Sequence, residues 1–283
     1  MGDTALEQSS AGGQTRPPVD LDAYFARIGY RGPRTPTLAT LRALHELHPA
    51  AIAFEAMDVL LDRGIDLDPA AVDAKLIGAK RGGYCHEHNG LFKRVLMALG
   101  FKVENLIARV VWMVPPGTPL PRGHAALRVM VEGEPWLADV GFGGCVPTAP
   151  LRMTATEPQA TPHESFRFVP SDDGFMLEAL RGDTWLPMYD LMDKPQLDAD
   201  LAMMNWFTST HRDSPFKRFL MAARTTPEAR YGLRDNRLTV RRADGRTEHR
   251  ALNADEIEQA LRDIFGLPVE PSWRPVIERF VPA

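Results

Sequence analysis

The sequence predicts an α+β protein built from three consecutive parts: an N-terminal helical bundle, a central antiparallel β-barrel and a mixed α/β C-terminal part. Three observations predict it. Apolar residues recur at helical spacing up to about Leu99, short apolar runs separated by turn residues then follow at close intervals, and the last third mixes both patterns. The expected boundaries are a disordered tail over residues 1–19, a helical part over 20–102, a barrel over 103–203 and an α/β part over 204–283.

In the helical part, Asp20 caps a short helix that runs through Ile28 and is stopped by Gly29. Thr37 opens a second helix with Leu38, Leu41, Leu44 and Leu47 on one face, and Pro49 is expected just past its end. Asp68-Pro69 is a cap followed by proline at the first helical position, for a helix to about Ala79. The fourth helix begins at Cys85, with Cys85, His88, Phe92, Val95 and Leu99 on one face and Gly100 as its stop.

The pattern changes after Gly100. Val103 to Val114 reads as a strand broken by Pro115-Pro116-Gly117. His124–Val131 and Pro135–Phe142 read as a hairpin around Glu132-Gly133-Glu134, and Ser165–Val169, Phe175–Leu180 and Trp185–Tyr189 are further strands. In the last third, Phe216–Ala223 suits a strand or a short helix. Leu238–Arg241 and Glu248–Leu252 flank an Ala243-Asp244-Gly245 turn. Asn253 with Glu256 forms a capping box for a final helix that ends before Gly266.

Composition narrows the function. The chain is 44% hydrophobic and 25% charged with net charge −4 and no basic run, which argues against a nucleic-acid partner. No apolar run reaches the length of a membrane span. Two cysteines and no apolar signal core within Met1–Val19 point to a reducing, cytoplasmic setting with free thiols.

The chemistry concentrates at Arg81-Gly82-Gly83-Tyr84-Cys85-His86-Glu87-His88-Asn89. Cys85 falls in the first turn of a helix, on its inward face. There, unpaired N–H groups and the helix dipole favour a thiolate, the reactive form of cysteine. The plain alternative is a small inert core residue.

A cysteine nucleophile needs a base, and the base an orienting group. If Glu132-Gly133 is a two-residue loop, Val131 pairs with Glu134 and Asp139 lies opposite Ala126, on the same face as His124. Such diagonal neighbours sit roughly 7–8 Å apart at the backbone. A Gly133-Glu134 loop keeps both on one face but further apart; a simple three-residue loop separates them. Taken singly, His124 suits an edge-strand histidine and Asp139 a turn former before Gly141. Yet Asp139 stands in the apolar run Trp136-Leu137-Ala138-Asp139-Val140, where a buried carboxylate needs a partner.

With these residues in view, the chain resembles the arylamine N-acetyltransferases, close to the bacterial members, from about Leu21 to Pro268. The residues that carry the resemblance are Arg27-Ile28-Gly29, Pro36-Thr37-Leu38, Phe54-Glu55, Arg81 to Cys85 with Glu87 and Asn89, His124, Asp139-Val140-Gly141-Phe142-Gly143-Gly144, Thr161-Pro162-His163-Glu164 and Ser209-Thr210-His211. The resemblance implies a papain-like Cys85–His124–Asp139 triad and a C-terminal α/β lid. It also implies ping-pong transfer of an acetyl group from acetyl-CoA, as co-substrate rather than bound cofactor, to an arylamine or arylhydrazine. Gly123, Phe142, Gly143 and Phe207 match positions that meet the acyl donor or acceptor. Departures from the family pattern are His86 for an aromatic residue, Gly123 for a small hydroxyl residue, Ala56 for asparagine and Arg212 for proline. They bear on acceptor preference and coenzyme A contact, and none removes a triad member.

Other readings stay open at this level: an amide synthase of the same fold, a cysteine hydrolase, and a non-catalytic metal- or partner-binding protein. Cys85 and His88 share a helix face, but no second pair at ligand spacing follows, so no metal is expected. His86 and His88 are expected at solvent or the cleft edge, Glu87 as a structural charge, Arg81 paired with Glu55 or Glu87, and Cys145 as a buried bystander near the cleft. No feature of the sequence sets an oligomeric state.

Overall fold

The computed structural model describes residues 19–115 and 117–282. The helical part contains α1 (Leu21–Ile28) and α2 (Leu38–Ala51), followed by the two-residue strand β1 (Phe54–Glu55). Next come α3 (Met57–Leu60), α4 (Pro69–Asp73) and α5 (Cys85–Ala98). Asp20 accepts from Ala23 N at the start of α1, and Gly29 closes that helix with φ 73°. Thr37 caps α2 in the same way through Thr40 N. Pro49, expected after the end of α2, lies inside its last turn. Its missing N–H costs the helix one late bond, while Ile52 N still reaches His48 O at 2.8 Å. The expected helix to Ala79 is divided: α4 widens into a π-helical turn over Ala74–Gly78.

The barrel is an eight-stranded antiparallel sheet of β2 (Lys102–Val110), β3 (His124–Val131), β4 (Glu134–Ala138), β5 (Leu151–Arg152), β6 (Gln159–Ala160), β7 (Ser165–Ser171), β8 (Gly174–Arg181) and β9 (Thr184–Gln196), in the order β5-β4-β3-β2-β9-β8-β7-β6. Its two edges nearly meet. The Gln159 side chain accepts from Arg152 N at 2.7 Å and donates to Arg152 O at 3.1 Å, which blunts both edge strands. β2 ends four residues before the expected Val114, and β9 extends well past Tyr189.

The β3–β4 hairpin decides the register left open above. Glu132 and Gly133 take φ 53° and 84°, the pair of left-handed residues that a type I′ turn requires, and Val131 pairs with Glu134. Asp139 therefore emerges directly after β4 on the His124 side.

The last part begins with α6 (Asp198–Thr210), which covers positions on both sides of the expected 203/204 boundary, and α7 (Pro215–Arg218). A five-stranded sheet follows, formed by β10 (Met221–Thr225), β11 (Ala229–Arg234), β12 (Arg237–Arg242), β13 (Thr247–Ala251) and, at its edge, β1. α8 (Ala254–Asp263) and α9 (Arg274–Glu278) complete the chain. The segment Phe216–Ala223 thus holds both expected alternatives in succession.

Three apolar cores hold the parts together. α1, α2 and α5 bury Tyr24, Leu41, Leu44, Phe92 and Val95 against Leu127, Val129 and Val131 of the hairpin. The barrel interior contains Leu106, Phe166, Leu177, Tyr189 and Cys145. The five-stranded sheet packs Leu233 and Leu238 on Ile257, Phe265 and Trp273. Residues 1–18 of the expected tail lie outside the described residues, whereas Val19 belongs to the first core at 8% exposure. Among the described residues no helix is long and apolar enough to cross a membrane.

Candidate active site

The approach to Cys85 is a tight loop with no room for side chains. A Cβ on Gly82 would run into the Ala53 carbonyl oxygen, and one on Gly83 would lie 2.7 Å from Glu87 Oε2. The loop is stitched to β1 by Glu55 N donating to Gly83 O at 2.7 Å and Gly83 N to Ala53 O at 3.3 Å. Glu87, at the third position of α5, reaches back to accept from Tyr84 N at 3.0 Å and also takes Lys75 Nζ at 2.7 Å. This is half of a capping box, and it fixes where the helix begins. Arg81 pairs with Glu55 at 2.8 Å, one of its two expected partners, and adds Asp58 at 3.1 Å and Glu270 at 3.3 Å; Glu87 goes to Lys75 instead.

Cys85 is 4% exposed, and its thiol donates to Gly123 O at 3.8 Å. His124, next in sequence to Gly123, donates from Nε2 to Asp139 Oδ2 at 2.7 Å. That bond leaves Nδ1 of the ring for the sulfur. The Asp139 carboxylate has four donors: His124 and Tyr189 OH (3.1 Å) on Oδ2, and Asn89 Nδ2 and Gly141 N (both 3.0 Å) on Oδ1. Burial would raise its pKa, but His124 and these hydrogen bonds hold it below the usual carboxylate range. Burial would likewise lower His124; the Asp139 carboxylate and the Cys85 sulfur outweigh it and push the imidazole up to about 10. The site is therefore arranged to accept a proton on the imidazole, between a carboxylate and a sulfur.

Backbone contacts set the spacing. A Cβ on Gly141 would fall 2.8 Å from Cys85 Cα, so the segment after Asp139 rests on α5 with nothing between. Asn89, one turn after Cys85, ties the same elements by donating to Ala125 O at 2.7 Å and accepting from Val140 N at 3.1 Å. His45 of α2 accepts from Asp139 N at 3.1 Å.

Among the expected substrate-contact residues, Gly123 lies beside the thiol. The Phe142 ring stands edge-on to His124 with centroids 5.3 Å apart, and it continues to Trp112 and Tyr189. Gly143, with φ 83°, turns toward Phe54. Phe207 on α6 stacks on His211 at 4.4 Å, next to Thr208, whose hydroxyl oxygen would lie 3.6 Å from a Cβ on Gly123. Tyr84 OH donates to Asn205 Oδ1, so α6 is fastened over the start of α5.

Two family descriptions fit this arrangement. The family model described as N-acetyltransferase matches residues 37–274. The arylamine N-acetyltransferase of Mycobacterium tuberculosis (strain ATCC 25618 / H37Rv) is 42% identical over 255 residues, spanning 89% of this chain and 90% of that protein. The chain belongs to the arylamine N-acetyltransferase family. The Escherichia coli (strain K12) family member is 43% identical over 210 residues, 74% of each chain. The structure of the Mycobacterium marinum arylamine N-acetyltransferase in complex with CoA superimposes with a TM-score of 0.89 at 39% identity, covering 93% of this chain and all of that one.

Within this arylamine N-acetyltransferase fold, one expectation is corrected. His86 and His88 lie inside the protein, at 2% and 1% exposure, and not at solvent or the cleft edge. The first turn of α5 is enclosed on every side, so polar residues there cannot reach water. His88 Nδ1 hydrogen-bonds His48 Nε2 at 2.8 Å, and His48 Nδ1 meets Tyr24 OH at 2.8 Å. Cys145 is buried in the barrel, as expected of a bystander, and burial raises its thiol pKa. Among the described residues no group of three or more His, Cys, Asp or Glu could hold a metal ion. Asn89 was legible as one turn from Cys85 on the same face; Tyr189 and His45 gave no signal, because their roles arise only from packing.

Proposed function

We propose that this protein transfers an acetyl group from acetyl-CoA to the nitrogen of an arylamine or arylhydrazine through an acetyl-Cys85 intermediate. The observation that supports this reading best is the His124–Asp139 hydrogen bond at 2.7 Å, formed by the residue adjoining the carbonyl on which the Cys85 thiol rests. Cys85 gives its proton to His124, and Asp139 stabilises the resulting imidazolium. The thiolate attacks the acetyl carbon of the thioester, the carbon–sulfur bond to CoA breaks, and His124 returns the proton to the departing CoA thiolate. His124 is then neutral and can act as a base. A neutral arylamine attacks acetyl-Cys85, its N–H proton passes to His124, and the Cys85 thiolate leaves with the acetylated amine released. The N-terminal turn of α5 favours the negative charge that builds on the carbonyl oxygen in both steps.

In this reading residues 20–102 supply the nucleophile, 103–203 the histidine and aspartate, and 204–283 the cover. Phe142, with Gly123, Gly143 and Phe207 around the opening, lines the path of donor and acceptor. Two free, buried cysteines suit a cytoplasmic enzyme.

Intact-protein mass spectrometry after brief exposure to acetyl-CoA tests the proposal. The wild type is expected to gain one acetyl group, about 42 Da, that Cys85→Ala does not gain and that an added arylamine removes. An adduct lost to water at the same rate with or without amine would support a hydrolase instead. No adduct would overturn the proposal.

A further inference from the structure

His86 is the one imidazole in this region whose two ring nitrogens both lack a hydrogen-bond partner, although it is 2% exposed. A buried polar group left in that state is costly, and an aromatic hydrocarbon of similar size would avoid the cost. The ring lies 5.3 Å from that of Tyr84 and faces the Gly123 carbonyl, outside hydrogen-bond geometry. That carbonyl is the group on which the Cys85 thiol rests, at 3.8 Å. The Gly123 N–H is already used, donating to Ala108 O at 3.2 Å.

The reaction proposed above, on which this inference rests, removes the sulfur-bound hydrogen. Once Cys85 is ionised or acetylated, the Gly123 carbonyl loses its donor. His86 faces that carbonyl with both ring nitrogens unused. We propose that His86 is a positioning residue that donates to the Gly123 carbonyl when Cys85 gives up its proton, so that the backbone carrying His124 keeps its place throughout the cycle. The neutral thiol state leaves His86 without a partner; the ionised and acetylated states satisfy it. The hydrogen bond therefore favours the states the reaction needs over the resting one, and His86 does this without touching substrate.

The titratable groups that face this pair are His124 of β3 with Asp139 behind it, Tyr84 and Glu87 at the start of α5, and Tyr189 of β9. All of them remain in the variants below, and a neutral His86 contributes no net charge to be lost. A change on replacing it reports the hydrogen bond.

The test is the pH dependence of Cys85 alkylation by iodoacetamide, read by intact mass, in wild type, His86→Phe and His86→Gln. In His86→Phe the profile is expected to move to higher pH by about 0.7 unit, equivalent to about a fivefold loss of the ionised state, the worth of one ordinary hydrogen bond. The high-pH plateau stays unchanged. His86→Gln keeps an N–H donor and is expected to bring the profile back to that of the wild type. Should His86→Phe fold poorly, His86→Met is the second variant without a donor. Coincident profiles for the wild type and the donor-less variants would overturn the proposal, as would equal displacement of His86→Gln and His86→Phe. Alkylation is measurable whether or not acetyl transfer occurs, so failure here is distinct from failure to form acetyl-Cys85.

Discussion

Replacing Arg81 by alanine probes the support of the cysteine loop. The guanidinium is 7% exposed and meets Glu55 at 2.8 Å, Asp58 at 3.1 Å and Glu270 at 3.3 Å. It also lies 4.7 Å from the centroid of the Trp273 ring. Asp58 retains Lys75 at 2.7 Å after the substitution, and Glu270 is well exposed, so neither is stranded. Glu55 is the vulnerable partner: it is 2% exposed and would keep the Met57 N–H at 2.7 Å and the longer-range attraction of Lys75. Removing one partner of a buried pair costs about 3–5 kcal/mol. For a chain of this size each kcal/mol lowers Tm by about 2–4 °C, so a fall of about 10 °C is expected at neutral pH. Calorimetric melts of both proteins at neutral pH would check this, and an unchanged Tm would refute the buried-pair argument.

Two further outcomes follow from the site geometry. Gly141→Ala puts a methyl group 2.8 Å from Cys85 Cα, so α5 and the Asp139 segment must separate. A loss of about 1–3 kcal/mol in stability and of at least tenfold in acetylation rate is expected, measured by melting and by single-turnover mass spectrometry; wild-type acetylation would contradict it. Acid should also destabilise the fold. Burial lowers His45, His86 and His88 to about 4, 3 and 4, so their stabilisation is complete above about pH 6.5 and is lost as pH falls, by about 2 kcal/mol each at pH 5. His124, raised to about 10, and Glu87, raised by burial to about 7, shift the other way and offset part of this, while His48, held well below its ordinary value by burial, adds to the loss, so a net fall in stability between pH 7 and 5 is expected. A Tm that is flat over that window would contradict it.

Much of the site was legible before the fold was known, because its chemistry is carried by local sequence. The Gly82-Gly83 approach, the helix periodicity from Cys85 and the Glu132-Gly133 turn each encode a short-range geometry. The register of one hairpin was enough to bring His124 and Asp139 to the same side. Elements lacking a local signature were missed. β11 carries arginines and a glycine in its apolar run, and α6 exposes Met203 and Trp206, which blurs its amphipathic face. β1 is two residues long and exists only because β10 and Gly83 flank it. The burial of His86 was illegible for a similar reason: a helix periodicity shows which face is apolar, but not that the other face is also covered, here with α6 fastened through Tyr84 and Asn205. His88 already stood on the apolar face, and its burial followed from that face packing on His48 and Phe54.

The position of β1 has a consequence for how the molecule is made. Phe54 and Glu55 hold the loop before Cys85 on one side and pair with Ala222 and Ala223 of β10 on the other. By the time Gly141 has been synthesised, the chain already contains Cys85, His124 and Asp139. The strand that braces their approach loop still lacks its neighbour until Met221–Thr225 has followed. Domains that emerge first on the ribosome ordinarily fold first. Here the order of translation and the order of completion are opposed: the strand against which the Cys85 loop rests gains its sheet neighbour only after β10 has been made, and a chain ended before Met221 lacks that pairing.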